Sequence, residues 1–275
     1  MKLTIVDVFA EARYQGNQLA VVEEAADLTA VTMQDIAREM NFSETTFVTS
    51  TTAAARADGR AEVRIFTPGE ELPFAGHPTL GTAWVLAGGT GTITLALAAG
   101  PVPVRFDGGV AWMTPPPATL GEVLEPERAA ALIGLEAADL DPEVDAQVVQ
   151  CGPVFPLVGV RSLEALARMH VDVAVQRELG IRGFPFAFCR GGYSADADFA
   201  ARVLFFDGTG MREDPATGSA NAAFAAFLRS RGVSGAKIVE QGFQVRRPSR
   251  IYLDIGDTLA VGGRVQPVAT GRLAG

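Results

Sequence analysis

Glu44, His77, Asp214 and Ser219 are the side chains of this 275-residue chain whose types and settings could move a proton. Glu44 lies between Phe42 and the pair Phe47-Val48 at the start of a strand pattern. A carboxylate in apolar surroundings has a raised pKa and can exchange protons near neutrality. Asp214 stands just before Pro215-Ala216-Thr217-Gly218-Ser219, where a helix pattern begins. It reads either as a cap or as a second proton-handling carboxylate. Together, one carboxylate from each half of the chain could move a proton across a bound molecule.

Two segments half a chain apart place these residues. Glu71-Leu72-Pro73-Phe74-Ala75-Gly76-His77 matches Glu213-Asp214-Pro215-Ala216-Thr217-Gly218-Ser219 at an offset of 142 that keeps Glu, Pro and Gly in register. Arg38-Glu39-Met40-Asn41-Phe42 with Phe47 matches Arg177-Glu178-Leu179-Gly180-Ile181 with Phe186 at an offset of 139, which makes Gly183 the counterpart of Glu44. Asp214 has Leu72 as its counterpart, so the acidic groups are not repeated. Helix patterns follow the repeated motif, over Pro78 to Leu86 and Ala220 to Arg229, and both are apolar nearly all round, as buried helices are. The first backbone N–H groups of each helix, at Gly76 and Gly218, have no intrahelical acceptor, and two facing helix starts would clamp a small anion or carboxylate. His77 and Ser219 would stand beside those donors. Plain helix capping by Gly and Ser is the structural alternative.

The remaining elements must hold these starts in place. Short β-branched or aromatic segments bounded by Gly, Pro or Asp predict strands over Leu3 to Phe9, Glu44 to Thr49, Ala61 to Thr67, Thr92 to Leu97, Val102 to Phe106, Val110 to Met113, Val154 to Val160, Phe184 to Cys189, Ala201 to Phe206, Ile238 to Gln241 and Ile251 to Ile255. Further helices are expected over Thr32 to Met40, Glu125 to Ile133 and Leu163 to Arg168. The expected class is α+β, with two pseudo-symmetric domains, each a mainly antiparallel, barrel-like sheet around one central helix. The proline run after Thr114 is the expected join. It divides the chain into residues 1–117, carrying Glu44 and His77, and 118–275, carrying Asp214 and Ser219, with the last strand able to pack back on the first half. The natural place for a ligand is the seam.

Composition narrows the partners. A net charge of -9, with 23 scattered Lys and Arg, excludes a polyphosphate partner such as nucleic acid. No run approaches the roughly 18 apolar residues of a membrane span, and Asp7 interrupts the N-terminal apolar run, so a cytoplasmic protein is expected. Cys151 and Cys189 are far apart and form no Cys-x-x-Cys pair, and with two histidines, His77 and His170, no metal is implied. Asp207-Gly208-Thr209-Gly210 lacks the spacing of a nucleotide loop, and Gly218-Ser219-Ala220-Asn221 is no hydrolase elbow, so Ser219 reads as a hydrogen-bond donor. A symmetric homodimer is a possible assembly.

The segments Gly16-Asn17-Gln18-Leu19-Ala20-Val21-Val22, Met40-Asn41-Phe42-Ser43-Glu44-Thr45-Thr46-Phe47-Val48, Arg64-Ile65-Phe66-Thr67-Pro68, Leu72-Pro73-Phe74-Ala75-Gly76-His77-Pro78-Thr79-Leu80-Gly81 and Glu213-Asp214-Pro215-Ala216-Thr217-Gly218-Ser219-Ala220 resemble the phenazine biosynthesis PhzF-like family. Gln241-Gly242 and Arg247-Pro248-Ser249 extend the likeness over nearly the whole chain. The resemblance implies the diaminopimelate epimerase fold and a cofactor-free isomerisation of a small cyclic carboxylic acid similar to dihydro-hydroxyanthranilate. It implies Glu44 as the main proton-transfer residue, assisted by His77, Asp214 and Ser219, with Asn17, Gly76, Thr217 and Gly218 as substrate-binding positions. Ala75 and Thr217 stand where such epimerases carry paired cysteines, so two-thiol racemisation is unavailable. Three departures bear on substrate: Gln18 where Pro is frequent, Arg246 where Gly commonly precedes Arg-Pro-Ser, and Arg212 on the approach to Glu213-Asp214. An added arginine suits a more anionic substrate, or is simply solvated. A lyase or hydrolase reusing the same cleft, told apart by solvent deuterium in an isomeric product, and a non-catalytic binding protein retaining the fold are the alternatives.

Overall fold

The computed structural model describes residues 1–50, 59–206 and 210–274. Asp207, Gly208 and Thr209, considered above for nucleotide binding, lie outside the described residues. The chain forms two compact units, Met1–Thr114 with Gly262–Gly275, and Pro115–Val261. The division falls at the head of the proline run, and the C-terminal strand belongs to the first unit.

The first unit contains β1 (Lys2–Val8), β2 (Asn17–Glu23), α1 (Ala30–Met40), β3 (Glu44–Val48), β4 (Arg60–Phe66), β5 (Glu71–Leu72), α2 (Gly76–Ala87), β6 (Thr92–Leu97), β7 (Gly100–Asp107) and β8 (Val110–Met113). β1 is antiparallel to β2, β2 parallel to β3, β3 antiparallel to β4, β4 antiparallel to β5 and parallel to β6, and β6 antiparallel to β7. Strand Val265–Arg272 pairs antiparallel with the other edge of β1. This sheet curls round α2, which packs on β1, β2, β3, β6, β7 and β8. Ten of its residues, from Gly76 to Leu86, are buried, as an apolar sequence without a polar face requires. α1 covers the outer face: its Thr29 cap accepts a hydrogen bond from the Thr32 amide, and Met33 and Ala37 pack with Val22, Phe47 and Phe66.

The second unit contains β9 (Thr119–Leu124), α3 (Pro126–Leu132), β10 (Ala146–Gln150), β11 (Val154–Gly159), α4 (Leu163–Arg168), α5 (Val173–Glu178), β12 (Phe186–Arg190), β13 (Phe199–Phe206), β14 (Met211–Asp214), α6 (Gly218–Ser230), β15 (Gly235–Gln241) and β16 (Ser249–Ile255); β17 (Leu259–Gly263) runs across the division, and β18 (Val265–Arg272) belongs to the first unit. β9 to β11 are antiparallel neighbours, β11 is parallel to β12, β12 antiparallel to β13, β13 antiparallel to β14 and parallel to β15, and β15 antiparallel to β16. The order and direction repeat those of the first unit, strand for strand. Its buried helix α6 places Phe224 in an aromatic cluster, with ring centroids 4.5 Å from Phe188, 5.1 Å from Phe199 and 5.2 Å from Phe186.

The ladders correct one correspondence. Thr46 faces Ile65, which faces Leu72, while Phe186 faces Val203, which faces Asp214. Thr46 therefore matches Phe186, and two residues earlier Glu44 matches Phe184 rather than Gly183. The cause is one extra residue between helix and strand. Asn41 and Gly180 both close their helices in the left-handed region, at φ 53° and 66°, but Glu44 follows three positions later and Phe184 four. Gly183 sits in that longer turn at φ 101°, where a Cβ would come 2.2 Å from the Val154 carbonyl oxygen.

Candidate active site

In the first unit, three elements bring Asn17, Glu44 and His77 together. Asn17 opens β2, Glu44 opens β3 and His77 is the second residue of α2. The parallel β2–β3 ladder sets Leu19 beside Glu44, so both strand starts lie at the same end of the sheet as the start of α2. Oε2 of Glu44 is 3.4 Å from Nε2 of His77, and Nδ1 of His77 is 3.3 Å from the Asn17 amide nitrogen. The side chains of His77 and Glu44 are 4% and 15% exposed. Burial is the main influence on His77 and pushes its pKa down to about 3, against a smaller opposing effect of the Gln18 backbone. The ring is thus neutral near pH 7, and Glu44 faces an uncharged ring nitrogen 3.4 Å away instead of a fixed cation. A carboxylate so placed can both lose and regain a proton.

In the second unit, Asp214 ends β14 and Thr217 precedes α6. Thr217 makes no side-chain cap to the helix; its hydroxyl donates to Oδ2 of Asp214 at 2.6 Å. Gln241, at the end of β15 and wholly buried, holds the turn between them, donating to the Asp214 carbonyl at 2.8 Å and accepting from the Thr217 amide at 3.3 Å. Asn221 donates to Gln241 Oε1 at 3.1 Å and to the Thr217 carbonyl at 3.0 Å. Gly218 and Ser219, the first residues of α6, are buried beside this turn. Glu213 points to the opposite face of β14 and pairs with Arg202, so it is structural. Arg212 and Arg246 are exposed.

Gln241 and Asn221 are absent from the sequence-based site. The sequence gives no clear signal for Gln241, because its strand also carries Lys237 and Glu240 and only its last three residues are buried. With Ile65 matched to Val203, Glu62 matches Ala200, and their partners Ala96 and Glu240 make Leu97 the counterpart of Gln241. The polar groups are therefore exchanged between the units. Glu44 and His77 answer to Phe184 and Ser219, while Asp214, Thr217 and Gln241 answer to Leu72, Ala75 and Leu97.

Cys151 and Cys189 are buried free thiols whose pKa burial pushes up to about 11, so neither is a thiolate nucleophile at neutral pH. Among the described residues, no group of three or more His, Cys, Asp and Glu is placed to hold a metal ion, and no helix is long and apolar enough to cross a membrane.

Relatives that match this duplicated α+β chain over nearly its whole length are named isomerases, and the chain is an isomerase. The model of the phenazine biosynthesis-like proteins matches residues 6–270, and the chain belongs to that family. It is 37% identical to the trans-2,3-dihydro-3-hydroxyanthranilate isomerase of Pseudomonas aeruginosa, over 91% of this chain and 89% of that protein. A phenazine biosynthesis protein of the PhzF family from Bacillus anthracis superposes with a TM-score of 0.86 at 24% identity, over 100% of this chain and 99% of the other. A probable proline racemase from Agrobacterium radiobacter shares the fold, with a TM-score of 0.61 at 13% identity over 99% and 92% of the two chains.

Proposed function

We propose that this isomerase moves a proton on a small cyclic carboxylic acid resembling dihydro-hydroxyanthranilate, with Glu44 as acid and base and no cofactor. The observation that carries the reading is the half-buried Glu44 carboxylate, 3.4 Å from a neutral His77 that Asn17 holds in turn. Glu44 takes a proton from a substrate carbon and the same group returns it to another carbon, so the formula of the product equals that of the substrate. His77 orients the carboxylate and substrate. Asp214 and Ser219 are assigned to substrate orientation, Gly76 and Gly218 to anion donation from helix starts, and Thr217 to holding Asp214. General acid–base help of this kind is worth roughly 100- to 10,000-fold.

Support for the substrate class comes from the relative named above. The test is turnover of trans-2,3-dihydro-3-hydroxyanthranilate followed by mass spectrometry. The native chain should give a product of unchanged mass, and Glu44→Gln should lose at least about 100-fold in kcat. Full turnover by Glu44→Gln overturns the role of Glu44, and a product that has gained or lost water makes the protein a hydratase or lyase.

A further inference from the structure

Gln241 lies 0% exposed at the end of β15 and makes four hydrogen bonds around the Asp214–Thr217 turn. Two of its partners are backbone groups with fixed roles, because an amide N–H can only donate and a carbonyl can only accept. The Thr217 N–H must meet Oε1, and the Asp214 carbonyl must meet Nε2, so the side-chain amide has one orientation. In that orientation Nε2 also donates to Oγ1 of Thr217, at 3.1 Å. The Thr217 hydroxyl then serves Gln241 as acceptor, and its own proton is left to point at Oδ2 of Asp214, 2.6 Å away. A hydrogen bond to an ionised carboxylate is stronger and shorter than a neutral one.

The geometry points to Gln241 as a positioning residue for Asp214, acting through a directed relay from the Gln241 amide to the Thr217 hydroxyl to the Asp214 carboxylate. In the first unit the three corresponding positions are Leu97, Ala75 and Leu72, so all three members of the relay are missing together where there is no carboxylate to orient. Had Gln241 served only to fasten the helix start, the first unit, which builds the same start with an apolar residue, would need it equally. Asn221 completes the support by donating to Gln241 Oε1. Asp214 enters the reaction with one carboxylate oxygen already fixed, and its other oxygen turned by that bond to a single direction. This inference rests on the reading that Asp214 orients substrate.

The sharp variant is Gln241→Glu, which keeps size and the acceptor side but removes both donations. Thr217→Val removes the middle member, and Thr217→Ser should restore it. With trans-2,3-dihydro-3-hydroxyanthranilate, Gln241→Glu and Thr217→Val should each lose about 10- to 100-fold in kcat/KM, the range of one charge-assisted hydrogen bond. They should show the same split between kcat and KM as Asp214→Asn. The double variant should lose no more than either single one, because members of one relay are not additive. Native kinetics in Gln241→Glu beside an impaired Asp214→Asn would overturn the relay. Native kinetics in Asp214→Asn would instead sink the functional reading. A substrate-free measurement stands apart from both: in threonine-labelled full-length protein, the Thr217 hydroxyl proton should exchange slowly with water. It should stay slow in Glu44→Gln and become fast in Gln241→Glu. Equal protection in Gln241→Glu overturns the inference whatever the activity.

Discussion

His77 shows how burial sets a residue's chemistry. A histidine ionises near 6.5 in an unfolded chain, but the folded ring resists protonation until about pH 3. Between those values the unfolded state binds a proton that the folded state does not, so stability rises with pH across the window and is lost as pH falls from about 6.5 towards 3. The slope is at most about 1.4 kcal/mol per pH unit from this one group. His77→Gln removes the term. Urea unfolding followed by Trp84 and Trp112, both in the unit that holds His77, should give a native-minus-variant difference that shrinks on acidification. A difference constant from pH 7 to pH 4 would mean that the ring titrates normally. In the proposed reaction the same neutrality keeps the ring beside Glu44 uncharged near pH 7, so that no fixed cation holds the carboxylate in its ionised form.

At the level of elements, the central helix α2 can reach its sheet because Gly81 has no side chain. A Cβ there would stand 2.6 Å from Leu19 Cδ2, 2.8 Å from Val8 Cγ2 and 3.2 Å from Val6 Cγ2, on the two strands that carry Asn17 towards His77. Gly81→Val should destabilise the fold by about 1 to 3 kcal/mol through overpacking, read as a lower urea midpoint. An unchanged midpoint would show that the helix does not press on β1 and β2. The apolar character of both central helices was legible in the sequence, and they extend about two residues beyond the expected bounds at the N-terminal end, Gly76–Ala87 against Pro78 to Leu86 and Gly218–Ser230 against Ala220 to Arg229. Strands β2, β5, β9, β10, β14, β17 and β18 were not legible as strands. β2 opens with Asn17 and ends with a buried Glu23 that pairs with Lys2, and β18 carries Pro267 and Gly271, so alternation is broken by residues that the sheet accommodates through pairing. α5 was seen only as an echo of α1, because, unlike the equally short α4, it buries no residue and so shows no apolar face. Glu44, His77, Asp214 and Ser219 were picked out by chemistry, whereas Gln241 depended on a ladder register that links β15 to a turn 24 residues earlier.

Over the whole molecule, duplication has supplied two copies of one frame, and burial decides what each copy can do. The same ion pair occurs in both: Arg64 with Glu71 on β4 and β5, and Arg202 with Glu213 on β13 and β14. In the first unit the two side chains are 34% and 36% exposed, and solvent screens them. In the second they are 9% and 6% exposed, and Arg202 also donates to the carbonyls of Leu166, Ala167 and Met169, closing the end of α4. Removing the carboxylate should therefore have unequal effects at equivalent positions. Glu71→Gln leaves Arg64 free to turn to water and should cost less than about 1 kcal/mol. Glu213→Gln leaves a buried guanidinium without its counter-charge and should cost about 3 to 5 kcal/mol. Calorimetry on the two variants side by side tests this, with the native chain as reference. Equal losses would show that the frame, not burial, sets the strength of the pair, and would remove the reason for expecting the strand that carries Asp214 to be more rigidly anchored than the one that carries Leu72.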